Sequence, residues 1–218
     1  MARALCQEPR ILVLDEPTSF LDIHHKLELL ALLRELARKQ KLTVIMSLHE
    51  IDLAQKISDR ILCVKGDTVD RCGTPEEIFQ AETIRDLYEI GNGYYDPLFG
   101  NLELPKPVGE PDVLVLSSCG TGIPVYRSLQ RKGIPFCAGI LYTNDVDYHL
   151  ARLLATEIFA ERPFFEISDG VFARTLECVR RIRRVVDAGV EIGTSNWRMQ
   201  ELLGEAARLG KLERRGAL

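Results

Sequence analysis

The stretch Ile11-Leu12-Val13-Leu14-Asp15-Glu16-Pro17-Thr18-Ser19-Phe20-Leu21-Asp22 decides how the first part of this chain is interpreted. Its four leading apolar residues are too few for a buried helix and predict a fully buried strand. Two carboxylates, Asp15 and Glu16, stand at the carboxyl end of that strand. Ionised carboxylates are costly there unless a cation, a polar partner or water meets them. The pattern therefore predicts a site for a magnesium-nucleotide complex.

A second apolar segment, residues 42–47, predicts another buried strand, and it ends in Leu48-His49-Glu50. Between the two strands, residues 23–40 carry leucines at helical spacing, which predicts a helix with one face on the sheet. Strand, DEPTSFLD, amphipathic helix, strand and SLHE follow one another in an order and spacing that resemble the ATPases of ATP-binding cassette (ABC) transporters. In that family the first motif is the Walker B and D-loop region, and the second is the switch-histidine loop.

The resemblance implies roles for five residues. Asp15 would hold magnesium, since hard cations prefer carboxylate and water oxygens. Glu16 would polarise the water that attacks the γ-phosphate of ATP, and His49 would hydrogen-bond that phosphate or the water. Ser19 and Asp22 would lie in the loop that crosses to the second ATPase subunit of a homodimer.

Three family motifs are missing from the sequence. There is no G-x-x-x-x-G-K-[ST] loop, whose amides and lysine hold phosphates, no glutamine loop and no LSGGQ-type signature. Residues 1–5 resemble the tail of the helix that follows the signature. The resemblance therefore covers roughly the second half of a cassette, and we expect this chain by itself to be inactive as an ATPase.

Residues 60–73 predict a β-hairpin turning at Gly66-Asp67. Thr74-Pro75-Glu76-Glu77 then opens a helix with a capping box. This hairpin and the following GTPEEIF resemble ABC ATPases that energise uptake of iron chelates and cobalamin. The resemblance implies transmembrane permease subunits as partners and a cytoplasmic, peripheral position on the inner face of the cell membrane.

Composition narrows the function class. The chain has 218 residues, 46% of them hydrophobic and 28% charged, and a formal net charge of -4, which gives no electrostatic footprint for nucleic acid. Six cysteines occur without a C-x-x-C pair, which argues against a zinc site and favours reduced thiols. No apolar run reaches the roughly 18 residues that a membrane span needs.

Residues 91–111 are rich in glycine and proline and predict a linker with little regular structure. A second alternation of strands and helices follows, which predicts a parallel, doubly wound sheet. Its predicted strands are 112–117, 135–141, 164–167 and 190–192, and its predicted helices are 124–132, 148–157, 171–188 and 197–209.

Ligands of such sheets bind outside the carboxyl ends of the strands. Three loops converge there in the prediction: 117–122, 142–147 and 193–196. Gly120 and Gly122 would let backbone amides cradle an anion at a helix N-terminus, and Asp145 stands where a ribose-binding acid is expected. Val125 replaces the third glycine of a dinucleotide fingerprint, so glycines that merely serve a tight turn are the alternative.

The predicted fold class is α/β. It consists of a partial P-loop NTPase-like domain of the ABC type in residues 1–90, the linker, and a small Rossmann-like domain in residues 112–218. The leading functional hypothesis is an ATP-hydrolysing subunit of an importer that uses ATP and Mg²⁺. The alternative is a non-hydrolytic regulatory protein whose C-terminal domain binds a small molecule.

Overall fold

The computed structural model describes residues 2–214, which form two compact units divided between Glu103 and Leu104. The division falls inside the predicted linker. In the described part of the chain, no helix combines the length and the apolar composition that membrane crossing requires.

Unit 1 contains three small groups of elements. The first is α1 (Ala2–Leu5), β1 (Ile11–Leu14), α2 (Ile23–Gln40) and β2 (Thr43–Met46), in which β1 and β2 pair in parallel with Ile11 opposite Thr43. The second is α3 (Ile51–Ile57) with the antiparallel hairpin β3 (Ile61–Lys65) and β4 (Thr68–Gly73). The third is α4 (Pro75–Ile78), α5 (Ala81–Leu87) and the hairpin β5 (Tyr94–Asp96) and β6 (Asn101–Glu103).

The prediction that β1 and β2 are fully buried is wrong. Leu12 is buried, but Val13 is 69% exposed and Ile45 is 47% exposed. The two strands form a sheet of only two, which α2 covers through Leu33 on one face. Burial on both faces requires helices on both sides of a parallel sheet.

Sequence signals in unit 1 that depend on hydrogen bonds between near neighbours in the chain are confirmed. Thr74 and Glu77 form the predicted capping box at the start of α4. The predicted linker, by contrast, is not irregular throughout, because hairpin β5–β6 occupies part of it. Tyr95 is buried there and packs with Phe79 and Ile84, so aromatic burial orders a segment that its glycine and proline content predicted to be irregular.

Unit 2 is a five-stranded, fully parallel sheet with helices on both faces. Its elements are β7 (Val113–Leu116), α6 (Ile123–Arg131), β8 (Phe136–Tyr142), α7 (Val146–Leu154), β9 (Glu157–Glu161), α8 (Asp169–Arg181), β10 (Arg184–Asp187), α9 (Met199–Arg208) and β11 (Leu212–Arg214). The spatial order is β11-β10-β7-β8-β9. This order confirms the predicted doubly wound sheet. The chain adds β8 and β9 on one side of β7 and then adds β10 and β11 on the other side, so the strand order reverses between β7 and β10.

Several predicted elements of unit 2 are misplaced. The strand predicted at 164–167 is β9 at Glu157–Glu161, and Phe164 is 93% exposed. The helix predicted over 171–188 ends at Arg181, and residues 184–187 form β10. Residues 190–192 are a loop rather than a strand, and β11 was not predicted. In β10, pairing with β7 and β11 overrides the helical spacing of its apolar residues.

Two apolar layers enclose the sheet of unit 2. One includes Tyr126, Leu129 and Leu150 from α6 and α7, and the other includes Val179 and Leu202 from α8 and α9. Every residue of β7 has no exposed surface. The loops that follow β7, β8 and β10 emerge at one edge of this well-packed core, where the sequence predicts a ligand site.

Candidate active site

The loops that follow β1 and β2 are joined by one hydroxyl group. Ser47 Oγ donates to Asp15 Oδ1 over 2.8 Å and accepts from the backbone N–H of Glu16 over 2.7 Å. Because the strands are parallel and in register, their carboxyl ends meet and place these loops side by side. Ser47 therefore fixes the two predicted carboxylates relative to the second strand.

Glu16 and His49, which are 33 residues apart in the chain, are in contact. The distance from His49 Nε2 to Glu16 Oε1 is 2.5 Å, and Ser19 Oγ donates to Glu16 Oε2 over 2.9 Å. The hydrogen bond to His49, followed by that to Ser19, lowers the pKa of Glu16. The hydrogen bond to Glu16 raises the pKa of His49 in turn. Both side chains remain open to solvent, His49 being 74% exposed.

The turn that carries Glu16 has unusual backbone angles. Glu16 has φ of 43° and Phe20 has φ of 64°, both in the left-handed region that L-residues seldom adopt. Non-glycine residues in this region cost of order 1–3 kcal/mol and persist where the surroundings hold them. Here the bond from the Glu16 N–H to Ser47 holds the turn and directs the Glu16 side chain toward His49.

A second set of contacts connects the same two loops below their exposed ends. Thr18 is only 1% exposed, and its hydroxyl donates to Glu50 Oε2 over 3.0 Å. Lys26 of α2 donates to Glu50 Oε1 over 2.6 Å. The bond to Lys26, and less strongly the bond to Thr18, lowers the pKa of Glu50. Sequence reasoning missed these three residues, although Glu50 directly follows the histidine that it singled out.

Asp22 caps the helix that follows the turn. Its Oδ1 accepts from the backbone N–H of His25 over 3.0 Å, and both of its carboxylate oxygens lie 2.9 Å from His25 Nδ1. The backbone bond is the main cause of a lowered pKa of Asp22. The predicted role of Asp22 and Ser19 at a subunit interface stays a prediction, while within the chain Asp22 starts α2 and Ser19 orients Glu16.

The arrangement suits the handling of a water molecule beside a phosphate. Glu16 is an ionised acceptor, and His49 presents an imidazole whose raised pKa favours the charged, donating form. Asp15 and Ser47 offer one carboxylate and one hydroxyl, a donor set that suits magnesium, which keeps most of its ligands as water and phosphate oxygens. Among residues 2–214 no cluster of three or more His, Cys, Asp or Glu side chains that could hold a metal ion occurs.

Two of the three predicted loops, 117–122 and 142–147, meet in unit 2, and a third contact comes from Glu191, whose N–H donates to Ser118 Oγ over 3.2 Å. Two amides of the first loop are already engaged by carboxylates of the second. The backbone N–H of Cys119 donates to Asp145 Oδ2 over 2.9 Å, and the N–H of Gly122 donates to Asp147 Oδ2 over 3.0 Å. Asp145 also caps α7 by accepting from the N–H of Asp147. An anion at Gly120 and Gly122 would have to displace or approach two carboxylates. The anion cradle and the ribose-binding role of Asp145 therefore remain predictions that this geometry does not support.

A buried polar group beneath these loops was not predicted. Ser117 Oγ and the Tyr126 hydroxyl are 2.7 Å apart, and Ser117, Tyr126 and Asp147 have no exposed surface. Among the residues that the structure describes, Asp147 Oδ1 has no hydrogen-bond partner, and burial raises the pKa of this carboxyl group. A Cβ on Gly122 would lie 2.5 Å from Ser117 Oγ, so the glycine admits close packing. This observation agrees with the alternative that the glycines serve a tight turn.

Comparison with known proteins adds relatives for both units. An uncharacterized ABC transporter ATP-binding protein, MJ0873 of Methanocaldococcus jannaschii, is 40% identical over 142 residues, which cover 65% of this chain and 49% of that protein. The cobalamin import ATP-binding protein BtuD of Halobacterium salinarum is 29% identical over 183 residues, covering 79% of this chain and 45% of that protein. The petrobactin import ATP-binding protein FpuD of Bacillus anthracis is 37% identical over 101 residues, which cover 46% of this chain and 37% of that protein.

The homologues of this chain are thus ATP-binding subunits of ABC transporters. The chain spans about half of the length of the first two relatives, or less. Its fold is α/β. The resemblance carried by DEPTSFLD and SLHE is confirmed.

Unit 2 matches the model of the MJ0874 family over residues 136–212, from β8 to the start of β11. The match to the Halobacterium protein also includes part of this unit, because unit 1 ends at Glu103 and a match over 79% of 218 residues extends beyond it. The similarity to this relative, which is named for cobalamin import, thus extends past unit 1 into unit 2.

Proposed function

We propose that this chain carries the water-positioning part of the ATP-hydrolysing site of an ABC importer subunit. The observation that carries the proposal is the contact of Glu16 with His49, at the adjoining ends of two parallel strands. The family resemblance singles out both Glu16 and His49, and the two side chains lie within hydrogen-bonding distance of each other. Ser47 and Ser19 hold the two partners in this arrangement.

In this proposal, ATP enters with its magnesium ion as substrate. Asp15 and Ser47 take part in binding that ion through oxygen ligands. Glu16 accepts a hydrogen bond from the attacking water and orients it, since a carboxylate whose pKa is lowered by His49 is a weak proton acceptor. His49, charged over a wider pH range than an ordinary histidine, donates to the γ-phosphate as negative charge builds up there.

The phosphate-binding loop and the signature segment must come from polypeptide other than these 218 residues, because the sequence contains neither. We infer that the complete ATPase works as a homodimer on permease subunits, at the cytoplasmic face of the membrane. Relatives named for cobalamin and petrobactin import support an iron-chelate or cobalamin type of importer.

The test compares two proteins. The 218-residue chain is titrated with magnesium-ATP and phosphate release is followed. The same assay is run on a fusion in which an ABC ATPase segment that contains a phosphate loop and a signature sequence precedes Met1. We expect no turnover from the chain alone and ATP hydrolysis by the fusion. Glu16→Gln should lower the kcat of the fusion by about two orders of magnitude, because the attacking water loses the carboxylate that orients it.

The matched control is Glu35→Gln, which alters an exposed glutamate of α2 that pairs with Lys39. It should leave turnover unchanged. A fusion that hydrolyses ATP equally well with Glu16→Gln would contradict the proposed role of Glu16. Glu16-dependent turnover by the unfused chain would contradict the expectation that this part of the site is insufficient by itself.

A further inference from the structure

The contact between Glu16 and His49 joins two loops whose exposed side chains need support from below. His49 is 74% exposed and Glu16 is 45% exposed, so packing does not hold either of them. An exposed ion pair contributes little free energy by itself, because solvent screens it and two side chains must be ordered. Some less exposed structure must hold the loops at the separation that this contact requires.

Glu50 is placed to provide that support. It follows His49 directly, and its two carboxylate oxygens are used by different elements. Oε2 accepts from Thr18, two residues beyond Glu16, and Oε1 accepts from Lys26 at the end of the first turn of α2. Thr18 is buried, and the side chains of Lys26 and Glu50 are 23% and 29% exposed, well below the exposure of Glu16 and His49.

We propose that Glu50 is a positioning residue that, through Thr18 and Lys26, fixes the loop of His49 against the loop of Glu16. The inference rests on the proposed function, since it assigns Glu50 a role in the same site. Glu50 does not touch Glu16 or His49 through any of these bonds. It acts by fixing the backbone on either side of the pair, one bond reaching the Glu16 turn and the other reaching the helix that continues from it.

For Lys26→Met, the loss of a charge and the loss of a positioning contact predict changes of opposite sign in the pKa of His49. Lys26→Met removes a positive charge near the site while it keeps most of the apolar stem. By charge alone, losing a cation leaves the pKa of His49 unchanged or raises it. If Lys26 and Glu50 hold the loops together, the hydrogen bond from His49 to Glu16 loosens and the pKa of His49 falls toward its ordinary value of 6.5.

The experiment is an NMR titration of the imidazole nitrogens in the full 218-residue chain. The chain contains four histidines, so the His49 signal is assigned by its loss in His49→Gln. We expect a lower pKa of His49 in Lys26→Met and also in Thr18→Val, which removes a donor without changing any charge. Lys26→Arg should restore the value of the unaltered chain, because a cation on a long stem can again reach Glu50.

The matched control is Lys39→Met, since Lys39 lies on the same helix and binds Glu35 over 2.6 Å, as Lys26 binds Glu50. It should leave the titration of His49 unchanged, and far-ultraviolet circular dichroism should show that all variants keep their helices. A pKa of His49 that stays constant or rises in Lys26→Met, with the helices intact, would overturn the positioning role.

The ATP-hydrolysing fusion separates this inference from the proposed function. There, Lys26→Met should lower kcat several-fold and leave KM unchanged, because Lys26 orients the water-handling pair rather than the nucleotide. If the fusion shows no dependence on Glu16 but the pKa of His49 falls as expected, the proposed function fails and the positioning role stands. If turnover depends on Glu16 but neither kcat nor the pKa of His49 responds to Lys26→Met, the positioning role fails.

Discussion

The buried hydroxyl pair of unit 2, Ser117 and Tyr126, gives a prediction whose size follows from the structure. Both residues have no exposed surface, and their oxygens are 2.7 Å apart. Removing one hydroxyl leaves the other buried without this partner, which costs about 1–3 kcal/mol, whereas removing both leaves neither hydroxyl unpaired. We expect Ser117→Ala and Tyr126→Phe each to destabilise unit 2 by about 1–3 kcal/mol. The loss in the free energy of unfolding of the double variant should be about 1 kcal/mol smaller than the sum of the losses in the two single variants.

Urea denaturation followed by tryptophan fluorescence suits this cycle. Trp197 is the only tryptophan of the chain and lies in unit 2, so its signal reports the unfolding of that unit. Tyr142→Phe is the control, since its hydroxyl donates to the exposed backbone oxygen of Phe165 over 3.0 Å and its loss should cost well under 1 kcal/mol, in line with bonds that water can replace. Additivity of Ser117→Ala and Tyr126→Phe within about 0.5 kcal/mol would refute the reasoning.

Three further outcomes are expected. Burial raises the folded-state pKa of Asp147 above its ordinary 3.8, so deprotonation destabilises the folded state increasingly as the pH rises from that value through the folded pKa. Over this range the melting temperature of Asp147→Asn should rise relative to that of the unaltered chain, and a constant difference between the two would contradict the prediction. Gly139→Ala should destabilise unit 2 by about 1–3 kcal/mol in urea, because at φ of 146° a Cβ would lie 2.5 Å from a backbone oxygen of β9, whereas Gly170→Ala, with open space around it, should be tolerated. Glu16→Gln should lower the pKa of His49 in an NMR titration, since the hydrogen bond to Glu16 is the main cause of its elevation, and an unchanged value would mean that the two side chains are not in contact in solution.

Local sequence signals predicted most elements of unit 1. The helix over residues 23–40 has the predicted bounds, because Asp22 supplies the cap at its start and leucines recur at helical spacing. The turn of the β3–β4 hairpin at Gly66 also follows from the sequence, since φ is 62° there. These features depend on bonds between residues that are near neighbours in the chain.

Unit 2 was harder to predict where an element depends on distant partners. The segment 184–187 continues the helical spacing of α8, yet it lies between β7 and β11 as a strand. Phe164 and Phe165 look like strand residues, yet they are exposed in the loop after β9. Composition within a short window does not say which of two apolar segments the sheet will bury, because that depends on the space left by the other strands.

The sequence by itself singled out Asp15, Glu16 and His49 and their family resemblance, because DEPTSFLD and SLHE are contiguous motifs whose residue types indicate their chemistry. Only the tertiary structure decided that Glu16 contacts His49, that Glu50 joins Thr18 to Lys26, and that Asp145 and Asp147 occupy the amides of the predicted anion cradle. Each of these contacts joins residues at least 24 positions apart. Their distances are set by the parallel pairing of strands, which brings the carboxyl ends of separate segments to the same edge of a sheet.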